Sequence, residues 1–477
     1  MLLIPTCLPV LVLLLLPGQA EDPAAELWEQ AQAAAAAGRY KAADRLYEKI
    51  IEAAPQSDQA GEARRRLQPN ALLRVVELER NGDPEQRIDV FVMAEGFSRE
   101  AKHQKIFDQA AEGTLTYFQQ APVFRRYRKY FNFYAMNIAS LEDGVDRPGK
   151  EYDTALGAFE SGATQGQVAV DHQQVETFLR MDPRAEGLAV VIVRLGTLGT
   201  GGGGVAVVGG APSNTIIHEW GHAFGRLLDE YTSDVGYTGK TPRGVNVSDS
   251  PDPERAPWKH WLDAGTKGVG MFPGGAGRSQ GAWRAMASGC AMSRGPSYCL
   301  VCRESVVAHI YERVGPIDRA TPNDQPIVIA SGAQETIGVT PMEVSGAPGL
   351  RVRFTLEETQ ERFAAQAVQP ATGGGLGLFD EGEDVSFDGG GGGSSWRRQG
   401  SRFGKGADPP LKGRDFRVSK QREPDRSISY QVTLSSRDAE PGNYLLHASV
   451  VDPTDWVLKP EWLNLLSETR TWQITIQ

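Results

Sequence analysis

Hydrophobic and polar positions along the chain change period several times, and each change marks a region. From residue 24 to 68, Leu27, Trp28, Ala31, Ala34 and Ala35 share one helical stripe, Gly38-Arg39-Tyr40 makes a turn, and Ala43, Leu46, Tyr47 and Ile50 share the next. Pro55 closes the second helix, and a third begins near Gln59. Two amphipathic helices joined by a glycine turn resemble one tetratricopeptide repeat. Such a unit rarely closes a core alone, so it should dock on the rest of the chain or meet a protein partner; docking is the favoured reading.

After Leu72 the pattern alternates between strand and helix. Strands are expected at 73–78, 88–93, 131–138, 188–195 and 205–208, with helices at 102–119 and 173–180 and a further helix from about 215. Beyond Ile317, short apolar runs at 327–330, 335–340, 350–356, 427–434, 444–451 and 471–476 are separated by Gly, Pro and Asp turns, which predicts a β-sandwich. The stretch 372–413 is dominated by glycine, serine and charge, with an unbroken glycine run from Gly389 to Gly393, and reads as a disordered insertion between strands.

At the start, Leu11 to Leu16 is an apolar run followed by the small-residue site Gly18-Gln19-Ala20. This is the pattern of a secretory signal cleaved after Ala20, and the run falls short of the ~20 residues that span a bilayer. The expected organisation is a signal peptide at 1–20, a helical segment at 21–69, a catalytic domain at 70–318 and a β-sandwich domain at 319–477. The fold class is α+β. No transmembrane anchor should remain after cleavage, and the mature protein is expected outside the cytoplasm, extracellular or periplasmic in a bacterium.

Composition narrows the function classes. The 477 residues, 40% hydrophobic and 23% charged, suffice for two or three cores, and the net charge of -10 argues against nucleic acid, which needs a basic footprint. The short basic runs at 64–66 and 125–129 read as solvated faces.

The candidate chemistry lies in His218-Glu219-Trp220-Gly221-His222. On a helix, residues four apart share one face, so His218 and His222 can present both imidazoles to one zinc ion (Zn2+), with Glu219 beside it as general base toward a metal-activated water. Gly225 is expected to let the chain leave the helix with positive φ. In the metzincin pattern a third histidine follows the glycine by three positions. That slot is Leu228 here, so Asp229 is the first choice for third ligand, Glu230 the second, and Glu304 a rival that would complete a thermolysin-like set.

Other features carry weaker readings. Gly201 to Gly204 lacks a following lysine and is no phosphate loop; it should instead free strand 205–208 as an edge able to pair with an extended peptide. Tyr231 and Tyr298 are candidate oxyanion donors, though either could be a packed aromatic. Cys7 leaves with the signal, and the odd set Cys290, Cys299 and Cys302 remains. One disulfide, from Cys290 to either partner, would leave one thiol free, whereas Cys299 and Cys302 with His309 would make an incomplete metal set.

The stretch 218–231 is similar to the zinc motif of the IgA peptidase family of secreted bacterial metallopeptidases, close to HE-x-GH-x-F-x-x-L-x-DEY in form. The likeness extends to Ile88-Asp89-Val90-Phe91-Val92-Met93-Ala94-Glu95-Gly96-Phe97, Asp153-Thr154-Ala155-Leu156, Asn246-Val247-Ser248 and Trp258-Lys259, covering about residues 72 to 318. The resemblance implies a metzincin-like zincin domain, with a mixed sheet carrying the zinc helix, and endopeptidase activity on a protein or peptide substrate. It also implies a methionine turn under the zinc, at Met292. The competing reading is a non-catalytic extracellular binding protein with a structural zincin domain; the intact Glu219 favours the enzyme.

Overall fold

The computed structural model describes residues 23–161, 166–233, 239–323, 326–360 and 414–477. The expected signal peptide and the glycine-rich insertion at 372–413 lie outside these residues.

The centre is a six-stranded sheet built from β1 (Ala71–Glu79), β2 (Ile88–Glu95), β3 (Phe131–Ala139), β4 (Ala189–Val193), β5 (Thr200–Gly202) and β6 (Val205–Gly209), in the spatial order β1-β3-β2-β4-β6-β5. The inner pairs β3–β2, β2–β4 and β4–β6 are parallel, while β1 and β5 join as antiparallel edges. Every residue of β2, β3 and β4 is buried, as expected for parallel strands covered on both faces. The helix Ala101–Gln120 supplies Phe107, Ala111 and Phe118 to that cover.

One sequence expectation changes here. Strand 205–208 is not the edge, because the chain doubles back and β5 pairs outside it through Thr200–Val207 and Gly202–Val205. The glycines of β5 carry no hydrophobic signal, so nothing in the pattern announced a strand there.

The N-terminal helices Pro23–Ala36, Tyr40–Ala53 and Asp58–Arg66 enclose a small core around Ala31, Ala43, Tyr47, Ile50 and Ala60. They dock against β1. Arg74 of β1 donates to the Ala36 carbonyl, Arg99 pairs with Asp44 at 2.8 Å, and Tyr40 packs with Leu73 and Ala139. Their placement blunts an edge that would otherwise expose unpaired backbone groups.

Two antiparallel-rich sheets follow. One orders Ile317–Thr321, Gln334–Pro341, Ile428–Ser435 and Ser419–Arg422; the other orders Ile327–Ile329, Ser467–Ile476, Gly442–Val451, Arg351–Thr359 and Arg414–Asp415. Ile337, Val339, Val432 and Leu434 of the first share one core with Phe354, Leu446, Trp472 and Ile474 of the second. The strands Ile317–Thr321 and Ser419–Arg422 are polar, lie at sheet edges, and were not foreseen from the sequence.

A buried seam joins these sheets to the central sheet. Asp452 accepts from the hydroxyls of Tyr127 at 2.7 Å and Tyr311 at 2.8 Å, and pairs with Arg126 at 3.3 Å. Arg126 and Arg303 both stand over the ring of Trp456.

Candidate metal centre

The helix Thr215–Ala223 lies across β5 and β6. It buries Ile216, Ile217 and Trp220 against the sheet and stacks Trp220 on Phe224 and edge-on to Phe118, which fixes its rotation. His218 and His222 therefore leave the helix on one face, as the four-residue spacing requires. The strand beneath must be glycine-rich. A Cβ on Gly201 would come within 2.2 Å of the Glu219 carbonyl oxygen, and one on Gly199 within 2.3 Å of the Val207 oxygen and 2.8 Å of Glu219 Cγ.

The left-handed residue that ends this segment is Arg226, at φ 51°, and not Gly225 as the sequence suggested. Gly225 answers a different need: a Cβ there would meet the Gly221 oxygen at 2.9 Å and Val306 at 3.0 Å. The turn brings Asp229 back over the histidines. His218 Nε2 lies 3.2 Å from His222 Nε2, and Asp229 Oδ1 lies 3.1 Å from the first and 3.2 Å from the second.

The tautomers decide what this triangle is. His218 Nδ1 lies 2.9 Å from the Ala291 carbonyl and His222 Nδ1 2.6 Å from the Leu227 carbonyl. A carbonyl can only accept, so both ring hydrogens sit on Nδ1 and both Nε2 lone pairs face the carboxylate. Three acceptors then converge in a largely buried place, and Asp229 Oδ1 has no hydrogen-bond donor. Donors bound at about 2.0–2.2 Å around a tetrahedral ion stand about 3.3–3.5 Å apart, close to the separations observed. The residues present fit a metal ion.

The electrostatics agree. Burial opposes a charge on His218, yet the negative charge of the Asp229 and Glu219 carboxylates beside it outweighs that and pushes the imidazole up to about 9. Burial also opposes the Asp229 carboxylate, but His218 and His222 hold it well below the usual carboxylate range. Glu219 is pushed up to about 7 by burial, with His218 and His222 pulling against that and Asp229 adding to it. The cavity calls for positive charge, and Glu219 lies close enough to both imidazoles to form a compact group with them.

The two rival ligands have partners of their own elsewhere. Glu304 accepts four hydrogen bonds, from His260 Nε2 and Trp261 Nε1 at 2.7 Å and from the backbone N–H groups of Leu458 at 2.6 Å and Lys459 at 2.8 Å. It ties the helix Leu300–Arg313 to the C-terminal segment and is not grouped with His218 and His222. Glu230 turns away from the histidines toward Cys302 and Asn246.

Met292 is fully buried under the helix, where a Cβ on Gly221 would meet its Sδ at 2.5 Å. Its loop acts through the backbone as well: Ala291 orients His218, and the Met292 carbonyl accepts the Glu230 N–H at 2.8 Å. Tyr298 donates to the Ile217 carbonyl from a buried position, so it is a packed aromatic and not an oxyanion donor. Tyr231 stacks on His218, ring centroids 6.0 Å apart, on the side of the site where Arg294 lies over it.

Asn246 is the residue whose role the sequence did not reveal. Fully buried, it accepts from the Leu228 N–H at 2.9 Å and donates to the Leu228 carbonyl at 2.7 Å and to Glu230 at 3.1 Å, holding the segment that presents Asp229. It sits on a short segment leading into Val247–Ser248, part of a three-stranded sheet with Phe272–Gly275 and Arg278–Arg284 that was also unforeseen. The Cys290, Cys299 and Cys302 side chains are all free thiols.

The model of the family described as IgA Peptidase M64 matches residues 76–268, a span that holds the central sheet from within β1 onward, the histidine pair, Asp229 and Asn246. Residues 76–268 are thus similar to the IgA peptidase family, as the sequence resemblance implied. That family points to a metallopeptidase, a hydrolase of protein or peptide substrates with a metal cofactor. The match ends before Met292 and the three cysteines. Among curated proteins, none matches the chain. No helix among the described residues is long and apolar enough to cross a membrane.

Proposed function

We propose that this chain is an exported zinc-dependent endopeptidase with a metzincin-like domain at 70–318, a helical segment at 21–69 and a β-sandwich at 319–477. The observation that carries the reading is the convergence of His218 Nε2, His222 Nε2 and Asp229 Oδ1, with both Nδ1 hydrogens already spent on carbonyls. These three residues would hold the ion, leaving one position for water. Zinc there would supply a Lewis-acidic centre that activates water and polarises a carbonyl.

The chain's own groups divide the remaining work. Glu219, buried beside both imidazoles, would take the proton of the attacking water and return it to the leaving amine. Ala291 and Leu227 hold the two rings in the productive tautomer, and Met292 supports the helix from below. An extended substrate would lie along the outer edge of β5, whose partner strand β6 occupies only its inner side.

Glu219→Gln tests this assignment. The variant is expected to keep its metal and to lose peptide hydrolysis by at least about 100-fold, the usual contribution of general acid–base catalysis. Equal hydrolysis by wild type and variant would remove Glu219 from the mechanism.

A further inference from the structure

Beside the histidine site lies a second group of metal-ligating atoms, whose three cysteines are in the part of the chain beyond the family match. Cys290 precedes the short 3-10 turn Ala291–Ser293, Cys299 caps the helix Leu300–Arg313, and Cys302 stands in that helix's first turn. Their three Sγ atoms and one carboxylate oxygen of Glu230 all lie within 4.8 Å of one another. Cys290 Sγ is 3.6 Å from Cys302 Sγ, and Glu230 Oε1 is 2.9 Å from Cys302 Sγ and 3.7 Å from Cys299 Sγ.

We propose that Cys290, Cys299, Cys302 and Glu230 form a structural site for a second zinc ion, distinct from the ion held by the histidines.

Geometry favours this over a thiol pair. Around a tetrahedral zinc with Zn–S of about 2.3 Å and Zn–O of about 2.0 Å, sulfurs stand about 3.8 Å apart and sulfur and oxygen about 3.5 Å; the Cys290–Cys302 and Glu230–Cys299 separations are near these, and the Glu230–Cys302 pair, at 2.9 Å, is closer. Three thiols cannot all be satisfied by one disulfide, whereas a four-donor S3O set uses each of them and the carboxylate. Glu230 is itself nearly fully buried, with Oε2 lacking any hydrogen-bond partner. Burying an acidic side chain among three cysteines is costly unless a cation joins them. Binding would release the thiol protons to solvent, leaving three thiolates and a carboxylate on the ion, the same charge as a four-cysteine site.

The surroundings are suited to thiolates. The Cys299 N–H donates to Cys290 Sγ at 3.3 Å, Asn246 Nδ2 donates to Glu230, and Arg303 supplies positive charge close to Cys299. The loop around Cys290 is tightly folded, with the Gly295 N–H on the Cys290 carbonyl at 2.7 Å and no room for a Cβ at Gly295. His309, the histidine weighed with Cys299 and Cys302 from sequence, is turned to the Ser305 carbonyl at 2.7 Å and takes no part. Glu230 takes its place, brought in from a distance by the turn after the histidine helix.

The consequence is mechanical. Glu230 directly follows Asp229, and its N–H is bonded to the Met292 carbonyl, so a closed second site would fasten the third ligand of the first site to the methionine loop.

The test loads the full mature chain with cobalt(II) and with zinc under reducing, chelator-free conditions. Wild type should bind two ions per chain, and the His218→Ala/His222→Ala double variant should retain one, with the near-ultraviolet charge-transfer band of cobalt–thiolate bonds. Cys302→Ser and Glu230→Gln should weaken that ion at least 10-fold while the histidine ion remains. No cobalt–thiolate band in wild type or in the double variant, or an intact mass showing a disulfide in the freshly isolated chain, would overturn the proposal. Because the double variant lacks the histidine site, loss of hydrolysis and loss of the second ion are read separately.

Discussion

Met292 Sδ occupies the space a Cβ would need on Gly221, the fourth residue of the HExxH motif. The glycine is there because the methionine is, and the two residues together set the height of the histidine helix above its supporting loop. Gly221→Ala would gain about 1 kcal/mol in helix propensity but would overpack a fully buried contact, at a cost of about 1–3 kcal/mol. The sulfur is enclosed and Tyr298 also comes within 3.0 Å of the new methyl, so the clash should win. Thermal unfolding should show a Tm a few degrees lower, and metal retention should weaken; an unchanged Tm and metal content would show that the loop yields freely.

Gly201 and Gly202 are neighbours in β5 with opposite surroundings. A methyl on Gly201 would strike the Glu219 backbone at 2.2 Å and His222 Cβ at 2.9 Å, while one on Gly202 meets nothing within 4 Å. Gly201→Ala should displace the helix and lower hydrolysis at least 10-fold with secondary structure intact by circular dichroism. Gly202→Ala should keep metal and fold. Similar behaviour of the two variants would contradict the close packing of β5 under the helix.

Asn246 supports the ligand segment without touching the triangle. Removing its side chain in Asn246→Ala leaves the part-buried Leu228 N–H and carbonyl without that partner, and outer-shell losses of this kind typically cost about 10–100-fold in metal affinity. Competition with a chelator should reveal a drop of that size. Affinity equal to wild type would mean the Asp229 turn holds itself.

How much of this was legible in the sequence depended on the range of the interaction. The histidine pair and Asp229 follow from local spacing, and the inner strands from continuous apolar runs. Glu304 could be set aside only once the chain had folded, because its partners Leu458 and Lys459 lie far downstream. The same is true of Glu230, which the linear motif places beside Asp229 and the fold delivers to Cys302. Edge strands such as β5 and Ser419–Arg422 lack hydrophobic alternation because one side needs no packing, so periodicity could not find them. Gly225 shows the limit of residue-type reasoning: glycine was needed there for close approach, while Arg226 took the left-handed turn.

Stability should respond to pH through Asp89, on the buried strand β2. Burial pushes its carboxyl up to about 7; the Asn132 hydrogen bond, Arg184 and Tyr134 act against this, and Glu186 adds to it. A carboxyl with a raised folded value favours folding while protonated, so this contribution is full below about pH 4 and is lost as pH rises toward 7. Asp89→Asn keeps an oxygen for the Asn132 donor at 2.8 Å and removes the charge. The variant should match wild type at about pH 4 or below and exceed it by about 1–3 kcal/mol at pH 8, solvent screening included. Equal stability at both pH values, read from denaturant unfolding, would show that the buried charge costs nothing.

The most direct measurement is an anomalous difference map at the zinc edge from crystals of the mature chain grown without chelator. A peak bounded by His218 Nε2, His222 Nε2 and Asp229 Oδ1 is the result the account requires. A histidine pair with no peak between its rings, or a peak completed by Glu304 in place of Asp229, would contradict it.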